Sequence, residues 1–210
     1  MHVMLYIIDK LELPGNDCFE NLNSLLSVQR YQKVQRLRSN SGRDASAAAY
    51  LLLRFALFEV YGINEPVEFE LAAKGKPTLK VYPDIHFNLS HSQGVAACVV
   101  ADFEVGVDVQ NVRKVSGKTA KRVLTKEEYE VLLTTNNPDD YFCKIWTIKE
   151  SYVKMTGQGI TAELGEISAE QIENIFAFKG DDYYCSVCSP AVSTEKVRHV
   201  RRNDFEQLYK

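Results

Sequence analysis

The sequence has no long hydrophobic run and no excess of positive charge, and these two absences exclude several classes of protein. The apolar stretch "AAAYLLL" (47–53) stops at Arg54, far short of the roughly 20 residues that a membrane-spanning helix needs. The formal net charge of −3 argues against a protein whose whole surface binds nucleic acid or polyphosphate. We therefore expect no membrane span and no nucleic-acid partner.

Cysteine is scarce and irregularly spaced, which argues against a disulfide framework. The five cysteines are an odd number, and no charged leader is visible at the N-terminus. We therefore expect a cytoplasmic protein with reduced thiols. Cys185 and Cys188 form a C-x-x-C pair, but only His199 follows nearby. A zinc site usually needs a second ligand pair, so we expect ordinary apolar cysteines in a strand.

One basic run near the C-terminus is the exception to the acidic balance. Such a run is most often a solvated edge, and contact with an acidic partner is the alternative. Nucleic-acid binding is a third interpretation. The acidic net charge and the lack of aromatic residues between the basic ones argue against it. The run consists of Lys196, Arg198, His199, Arg201 and Arg202.

Segments with helical and strand periodicity fill the chain. Residues 22–38 and 45–62 have helical spacing, whereas 85–92 and 94–101 read as paired strands. The clearest helix spans 136–157, with proline at its first position and two aspartates after it.

Each half of the sequence thus places helices before a run of strands. This order predicts an α+β fold. We expect one α+β half at 1–103, a second at 104–210, and a boundary between them near residue 103.

Asp108 is conspicuous because it lies in the apolar, strand-like stretch "VGVDVQN" (105–111). An unpaired buried charge is costly, so the aspartate needs a partner. Gln110 lies on the same face of the strand, while Glu150 and Lys154 share one stripe of the clearest helix. Carboxylates on a strand and on a helix can converge on Mg²⁺ that also binds substrate phosphates. A surface ion pair between Glu150 and Lys154 is the alternative that the spacing leaves open.

Three further groups of polar residues suit an anion, although each alone has a simpler explanation. The stretch "NLSHS" can cradle a phosphate through Ser90 and His91, or can simply contain a hydrogen-bonded histidine. The turn "KGKP" carries Lys76 and Pro77 and can be an ordinary solvated turn. The first helix has a basic face that is either solvated or an anion site, made of Arg30, Lys33, Arg36 and Arg38.

The order of these motifs is more specific than any one of them. GKP, FNLSHS, GVDV and "WTIKESYVKMTGQGI" (146–160) follow one another in a way that resembles the 4′-phosphopantetheinyl transferase superfamily. The resemblance is to its longer, monomeric, surfactin-synthetase-activating type, and it spans about residues 22–160.

The resemblance implies a Mg²⁺-dependent enzyme with coenzyme A as co-substrate. Such an enzyme moves the phosphopantetheine arm onto a serine of an acyl or peptidyl carrier protein and releases adenosine 3′,5′-bisphosphate. It also implies two similar α+β halves packed as a pseudo-dimer, with the active site in the cleft between them, in a cytoplasmic monomer. The sequence does not indicate which carrier protein is modified.

The resemblance also assigns roles to single residues. Asp108 and Glu150 are implied as Mg²⁺ ligands, with Glu150 a candidate general base and Lys154 a contact of the pyrophosphate. Gln110 stands where the family often has an acidic residue, so a metal-ligand role for its amide stays open. This departure also supports the alternative of a coenzyme A- or carrier-binding module without catalysis. The implied coenzyme A contacts are Arg30, Lys33, Ser46, Lys76, Pro77, Ser90, His91 and Lys154.

Overall fold

The computed structural model describes residues 3–9, 11, 24–72, 75–159, 163–190 and 197–209 of the 210-residue chain. The first two residues of the predicted helix 22–38, the last residue of the motif 146–160, and Lys196 of the basic run lie outside the described residues. Within the described ranges, no helix has the length and apolar character that crossing a membrane requires.

A four-stranded sheet and one long helix form the N-terminal part. Strand β1 (Val3–Ile8) pairs antiparallel with β5 (Val95–Ala101), which pairs antiparallel with β4 (His86–Ser92). Near the other end of the chain, β9 (Val197–His199) adds to β1 in parallel, which gives the order β4-β5-β1-β9. Helix α2 (Asn40–Tyr61) buries its alanines and leucines against this sheet. Because alanine is small, the helix can lie close to the strands.

Three shorter elements complete this part. Helix α1 (Val28–Gln35) begins after Ser27, whose side chain accepts a hydrogen bond from the Arg30 amide. Strands β2 (Phe69–Leu71) and β3 (Pro77–Leu79) pair antiparallel as a hairpin. These elements place the basic helix face and the GKP turn on the same side of the molecule as the end of β4.

The bounds of the first two helices differ from those predicted. The first was expected at 22–38 but is only Val28–Gln35, because Ser27 caps its start and the chain then turns before the next helix. The second was expected at 45–62 but begins at Asn40. Ser39 caps it by accepting a hydrogen bond from the Gly42 amide at 3.1 Å, and this polar first turn has no hydrophobic periodicity to reveal it.

A second, three-stranded sheet forms the C-terminal part. Strand β6 (Gly106–Asn111) pairs antiparallel with β8 (Tyr183–Cys188), and β8 pairs antiparallel with β7 (Ile175–Lys179). Cys185 and Cys188 lie on β8 with their side chains fully buried, and burial raises the pKa of both thiols.

Three helices accompany this sheet. They are α3 (Gly117–Val123), α4 (Lys126–Thr134) and α5 (Pro138–Thr156). The last of them packs across β6 and β8 and ends at Gly157, whose φ of 68° is the left-handed conformation that favours glycine.

The two sheets meet along β4 and β6, where side chains replace the usual main-chain ladder. Oδ1 of Asn88 accepts a hydrogen bond from the Val107 amide at 3.1 Å. Two residues further along each strand, the Ser90 hydroxyl accepts a hydrogen bond from the Val109 amide at 3.1 Å. A third bond of the same kind joins Ser92 Oγ to the Asn111 amide at 3.3 Å.

The mixed α+β class predicted from the sequence is confirmed by this arrangement. A sheet with a long helix occurs in each part of the chain. The division into halves at 1–103 and 104–210 stays a prediction.

Candidate functional site

A cavity of about 1340 Å³ lies between residues of the N-terminal part and helix α5. One wall comes from α1, the β2–β3 hairpin and β4, and the other from α5 and residues 163–166. Residues of three of the four motifs, GKP, FNLSHS and 146–160, therefore face one space, whereas the GVDV motif is outside its lining. Of the predicted site residues, the cavity is lined by Arg30, Lys33, Ser46, Lys76, Pro77, His91, Glu150 and Lys154.

Arg30 is a buried cation on the first wall. Its Nη2 donates to the carbonyl oxygen and to the hydroxyl of Ser46, at 2.5 and 2.9 Å. Its Nε is buried without a hydrogen-bond partner among the described residues, and those residues also provide no carboxylate in an ion pair with it. Burial lowers the pKa of Arg30 to about 10. A guanidinium held in this way is suited to an incoming anion.

Further cations adjoin Arg30 on the cavity surface. Partial burial, followed by the charge of Arg30, lowers the pKa of Lys33. The pKa of His91 is lowered by burial and then by three neighbouring cations, Arg30, Lys154 and Lys33. Crowded positive charges repel one another, so a bound anion would stabilise all of them.

Asp108 lies just behind the second wall and is paired. Its Oδ1 accepts hydrogen bonds from Lys154 Nζ at 2.6 Å and from the Ser90 hydroxyl at 2.8 Å. Its Oδ2 is buried and has no hydrogen-bond partner among the described residues. The Lys154 ammonium also donates to the Val107 carbonyl at 3.1 Å, which fixes this side chain across the strand. One carboxylate oxygen of the aspartate is therefore held by two side chains, whereas the other is buried without a partner among the described residues.

Glu150 is the second carboxylate of this region. Burial, and next the charge of Asp108, raise the pKa of Glu150, while Lys154 lowers it. The charge of Asp108 on the strand thus acts on Glu150 of the helix, and the role of both carboxylates as metal ligands stays a prediction. Within the described part of the chain, no group of three or more histidine, cysteine, aspartate or glutamate side chains forms a metal cluster.

Gly106, the glycine of the GVDV motif, explains how close α5 comes to β6. A Cβ atom at this position would lie 2.0 Å from the Ser151 carbonyl oxygen and 2.5 Å from the Met155 amide nitrogen. Only glycine leaves room for this contact. The close approach brings the lysine and glutamate of the helix up to the aspartate of the strand.

Gln110 lies away from the main cavity. Its amide nitrogen donates to Ser92 Oγ at 3.3 Å and to the Asn111 carbonyl at 3.4 Å. It borders a smaller cavity of about 320 Å³ that also reaches Trp146 and Cys143. Whether the amide oxygen binds a metal stays a prediction.

Lys76 was expected beside a nucleotide base, and its ammonium has structural partners. It donates to the Val105 carbonyl at 3.1 Å and to the Met155 carbonyl at 3.0 Å, and it forms an ion pair with Glu104. The side chain thus joins the β2–β3 hairpin to the C-terminal end of α5, where a cation is favoured by the helix dipole. Its stem and Pro77 still line the cavity.

Sequence reasoning missed the role of Lys149. This side chain is fully buried, and its ammonium lies 2.5 Å from Glu128 Oε2. It also donates to the carbonyl oxygens of Val123 and Leu164, at 2.7 and 3.0 Å. Because Leu164 belongs to the cavity wall, Lys149 fixes that wall. The sequence has Glu128 three residues after Thr125, the spacing of a capping box that the structure contains, but this spacing does not indicate the lysine as a second partner of the glutamate.

Comparison with known proteins identifies a family for the chain. A family model described as "4′-phosphopantetheinyl transferase superfamily" matches residues 104–196. The chain is 30% identical over 158 residues to the 4′-phosphopantetheinyl transferase psf-1 of Bacillus pumilus, covering 74% of this chain and 68% of the relative. It is 35% identical over 158 residues to the 4′-phosphopantetheinyl transferase HetI of Nostoc sp., covering 70% and 66%.

Among solved structures, the crystal structure of Thermotoga maritima holo-[acyl-carrier-protein] synthase is similar at 16% identity with a TM-score of 0.29. The match covers 40% of this chain and 60% of that one. The relatives from Bacillus and Nostoc align over most of the present chain. The chain belongs to the 4′-phosphopantetheinyl transferase superfamily.

Proposed function

We propose that the protein transfers the 4′-phosphopantetheine moiety of coenzyme A to a serine of an acyl or peptidyl carrier protein, in a Mg²⁺-dependent reaction. Family membership supports the proposal. The observation that carries it is a cavity with two opposed walls. One wall has Arg30, which is buried and forms no ion pair with a carboxylate of the described residues, together with Lys33 and His91. The other wall has Glu150, on which the charge of Asp108 acts.

The cationic wall suits the phosphates of coenzyme A. Arg30 and Lys33 bind the 3′-phosphate in this proposal, with His91 next to them and the Ser46 hydroxyl holding the guanidinium in place. Lys154 lines the cavity and can reach the pyrophosphate while it stays near Asp108. The adenine lies beside the stem of Lys76 and Pro77.

The carboxylate wall fits Mg²⁺. Asp108 Oδ2 is a buried acceptor without a hydrogen-bond partner among the described residues, and burial, followed by the charge of Asp108, raises the pKa of Glu150. Mg²⁺ in phosphate-transferring sites commonly takes only one or two carboxylates and completes its shell with substrate phosphates and water. When bound, such an ion neutralises charge on the phosphate oxygens of the anhydride.

The chain's own residues then act on the two substrates. The serine oxygen of the carrier attacks the phosphorus next to the pantetheine, a new P–O bond forms, and adenosine 3′,5′-bisphosphate leaves with the electron pair of the broken anhydride bond. The serine proton passes to Glu150 or through water. Since a carboxylate beside a metal ion has a lowered pKa, we rank the metal-ligand role of Glu150 above its role as base.

The proposal includes a monomer in the cytoplasm. Both walls of the cavity come from one chain, so no second copy is needed to complete the site. The identity of the carrier protein is left to experiment.

Mass spectrometry tests the function directly. A panel of purified apo carrier proteins is incubated with the protein, coenzyme A and Mg²⁺, and a gain of one phosphopantetheine on a carrier is the expected result. Parallel reactions with EDTA, and with the Asp108→Asn variant, should give no gain. Tight coenzyme A binding without modification of any carrier would instead indicate the binding module that the Gln110 departure suggests.

A further inference from the structure

Helix α2 carries a stripe of polar side chains among the apolar residues that it buries. Ser46, Tyr50 and Arg54 lie four residues apart along the helix, so they share one face of it. All three side chains are buried, and the alanines and leucines around them pack into the apolar core. Buried polar groups are costly unless they are hydrogen-bonded. The partners of this stripe therefore show which part of the molecule it holds.

The first two members of the stripe contact the cationic wall of the cavity. Ser46 accepts two hydrogen bonds from Arg30, as described above. The Arg30 guanidinium also lies over the Tyr50 ring, with 5.8 Å between its central carbon and the ring centre. The Tyr50 hydroxyl donates to the Val67 carbonyl at 2.8 Å, shortly before β2 begins. Helix α2 thus supports both α1 and the chain that leads into the β2–β3 hairpin.

Arg54, the third member, holds the chain ahead of these same two elements with one guanidinium. Its Nη1 donates to the Leu25 carbonyl at 2.7 Å, just before α1, and its Nη2 donates to the Asn64 carbonyl at 2.5 Å, before β2. Among the described residues, no carboxylate forms an ion pair with Arg54. The cavity lining does not include Arg54. An effect of this residue on a ligand must therefore pass through the segments that it holds.

We infer that Arg54 is a positioning residue for coenzyme A, because it fixes the start of helix α1 from behind the cavity wall. The helix has further contacts with its surroundings. Exposed Gln29 forms two hydrogen bonds with the main chain of Phe69. Arg30, the proposed phosphate contact, forms those with Ser46. Without Arg54, the bonds of Arg30 must hold the helix as well, and its guanidinium is displaced from the 3′-phosphate.

The β2–β3 hairpin depends less on Arg54, because it has another anchor. The Lys76 ammonium joins the hairpin to the carbonyl oxygens of Val105 and Met155. The adenine contacts are therefore retained when Arg54 is replaced, and the loss falls on the 3′-phosphate. The inference rests on the proposed function, which places the 3′-phosphate beside α1 and the adenine beside the hairpin.

The ratio of two dissociation constants reports the placement of α1. Dephospho-coenzyme A lacks the 3′-phosphate, so its affinity relative to that of coenzyme A measures what the 3′-phosphate contacts contribute. Isothermal titration calorimetry of the full chain in EDTA, well below the melting temperature of each variant, gives both constants. For Arg54→Met, we expect coenzyme A to lose about tenfold more affinity than dephospho-coenzyme A, the size of one charge-assisted hydrogen bond.

Phe55→Leu is the matched control for a loss of stability. Phe55 is the next residue of α2 and is also buried, but its ring packs against Tyr6 of β1 and against Phe205 near the C-terminus. This variant should melt at a lower temperature and keep the wild-type ratio of the two affinities. Circular dichroism gives the melting temperature of each variant.

Arg54→Lys keeps the charge and decides the test if Arg54→Met does not fold. A lysine ammonium is a compact point charge without the planar fork of arginine, so it cannot hold the Leu25 and Asn64 carbonyls in the same arrangement. The affinity ratio should therefore fall in Arg54→Lys too, by less than in Arg54→Met.

Each other outcome has a definite meaning. A wild-type ratio in the Arg54 variants, or an equal loss of affinity for both ligands, would overturn the inference and leave the proposed function intact. A fall of the ratio in Phe55→Leu as large as in the Arg54 variants would also overturn it, because any loss of core packing would then have this effect. A wild-type protein that binds neither ligand would overturn the proposed function, and this inference with it.

Discussion

Lys149 and Glu150 are adjacent on helix α5, yet the Lys149 ammonium is fully buried against Glu128 while the Glu150 carboxylate borders the cavity. The side chains of successive helical residues point about 100° apart, so Lys149 and Glu150 lie in two different environments. The lysine joins Glu128 to the carbonyl oxygens of Val123 and Leu164, and the glutamate lines the cavity. This contrast yields separate predictions for the two positions.

Lys149→Met should destabilise the protein. The substitution leaves Glu128 buried without its cation, and breaking a buried ion pair typically costs about 3–5 kcal/mol. Urea denaturation followed by circular dichroism measures the change. Lys144→Met is the matched control, because Lys144 is exposed on the same helix and should change the free energy of unfolding little. Equal stabilities of the two variants would contradict the buried pair.

Glu150→Gln should abolish transfer and yet raise thermal stability at neutral pH. The pKa of Glu150 in the folded protein is raised above its ordinary value of 4.5. Between pH 4.5 and this raised pKa, the folded state binds more protons than the unfolded state, so the free energy of unfolding falls as pH rises. The extra stability of Glu150→Gln relative to wild type should therefore be absent below about pH 4.5 and complete above the pKa that Glu150 has in the folded protein. Melting curves of both proteins across this pH range give the answer, and a Glu150→Gln variant less stable than wild type at pH 8 would refute it.

Gly106→Ala should destabilise the protein and reduce activity together. The added Cβ meets main-chain atoms of Ser151 and Met155, which a side-chain rotation cannot relieve, so we expect a cost of about 1–3 kcal/mol. The helix must move away from β6, which separates Lys154 from Asp108. Thermal melting and carrier modification are both measured.

Gly117→Ala is the control for this substitution. A Cβ at Gly117 meets nothing within 4 Å, so the variant should keep wild-type activity and stability. If Gly106→Ala behaved like Gly117→Ala, the close approach of α5 and β6 would be wrong.

These substitutions also show how far the sequence could predict the structure. That Asp108 has a partner was predictable, because a carboxylate in an apolar strand is costly to leave unpaired, whereas its pairing with Lys154 was not predicted. The contacts of Lys149 were not predictable, because its acceptors on Val123, Glu128 and Leu164 are brought together only by tertiary packing. The start of α2 escaped detection for another reason, since its capped first turn is polar.

Lys33→Ala should weaken the binding of coenzyme A but not that of dephospho-coenzyme A. The proposed partner of this lysine is the 3′-phosphate, which the second ligand lacks. Isothermal titration calorimetry in EDTA compares both ligands with both proteins. Lys80→Ala is the control, because Lys80 is exposed and lies 3.8 Å from Glu68 in an ion pair. Equal weakening of both ligands by Lys33→Ala would assign the lysine to another phosphate.

Coenzyme A binding should take up protons near pH 6.5. Burial and the neighbouring cations lower the pKa of His91 below its ordinary value of 6.5, so the imidazole is mostly neutral in the free protein at that pH. A bound phosphate favours the charged form and raises the pKa again. Calorimetry in two buffers of different ionisation enthalpy measures the uptake, which should diminish in His91→Gln. Proton release on binding by the wild type would contradict this assignment.

The side-chain bonds from β4 to β6 have a consequence for solubility. The outer edge of a sheet presents amides that can recruit a strand from another molecule, and in β6 those of Val107, Val109 and Asn111 are already occupied by Asn88, Ser90 and Ser92. The row of small polar groups thus shields an apolar valine-rich strand from self-association. Polar residues whose pattern suggests chemistry thus also occupy backbone amides that could otherwise pair with a strand of another molecule.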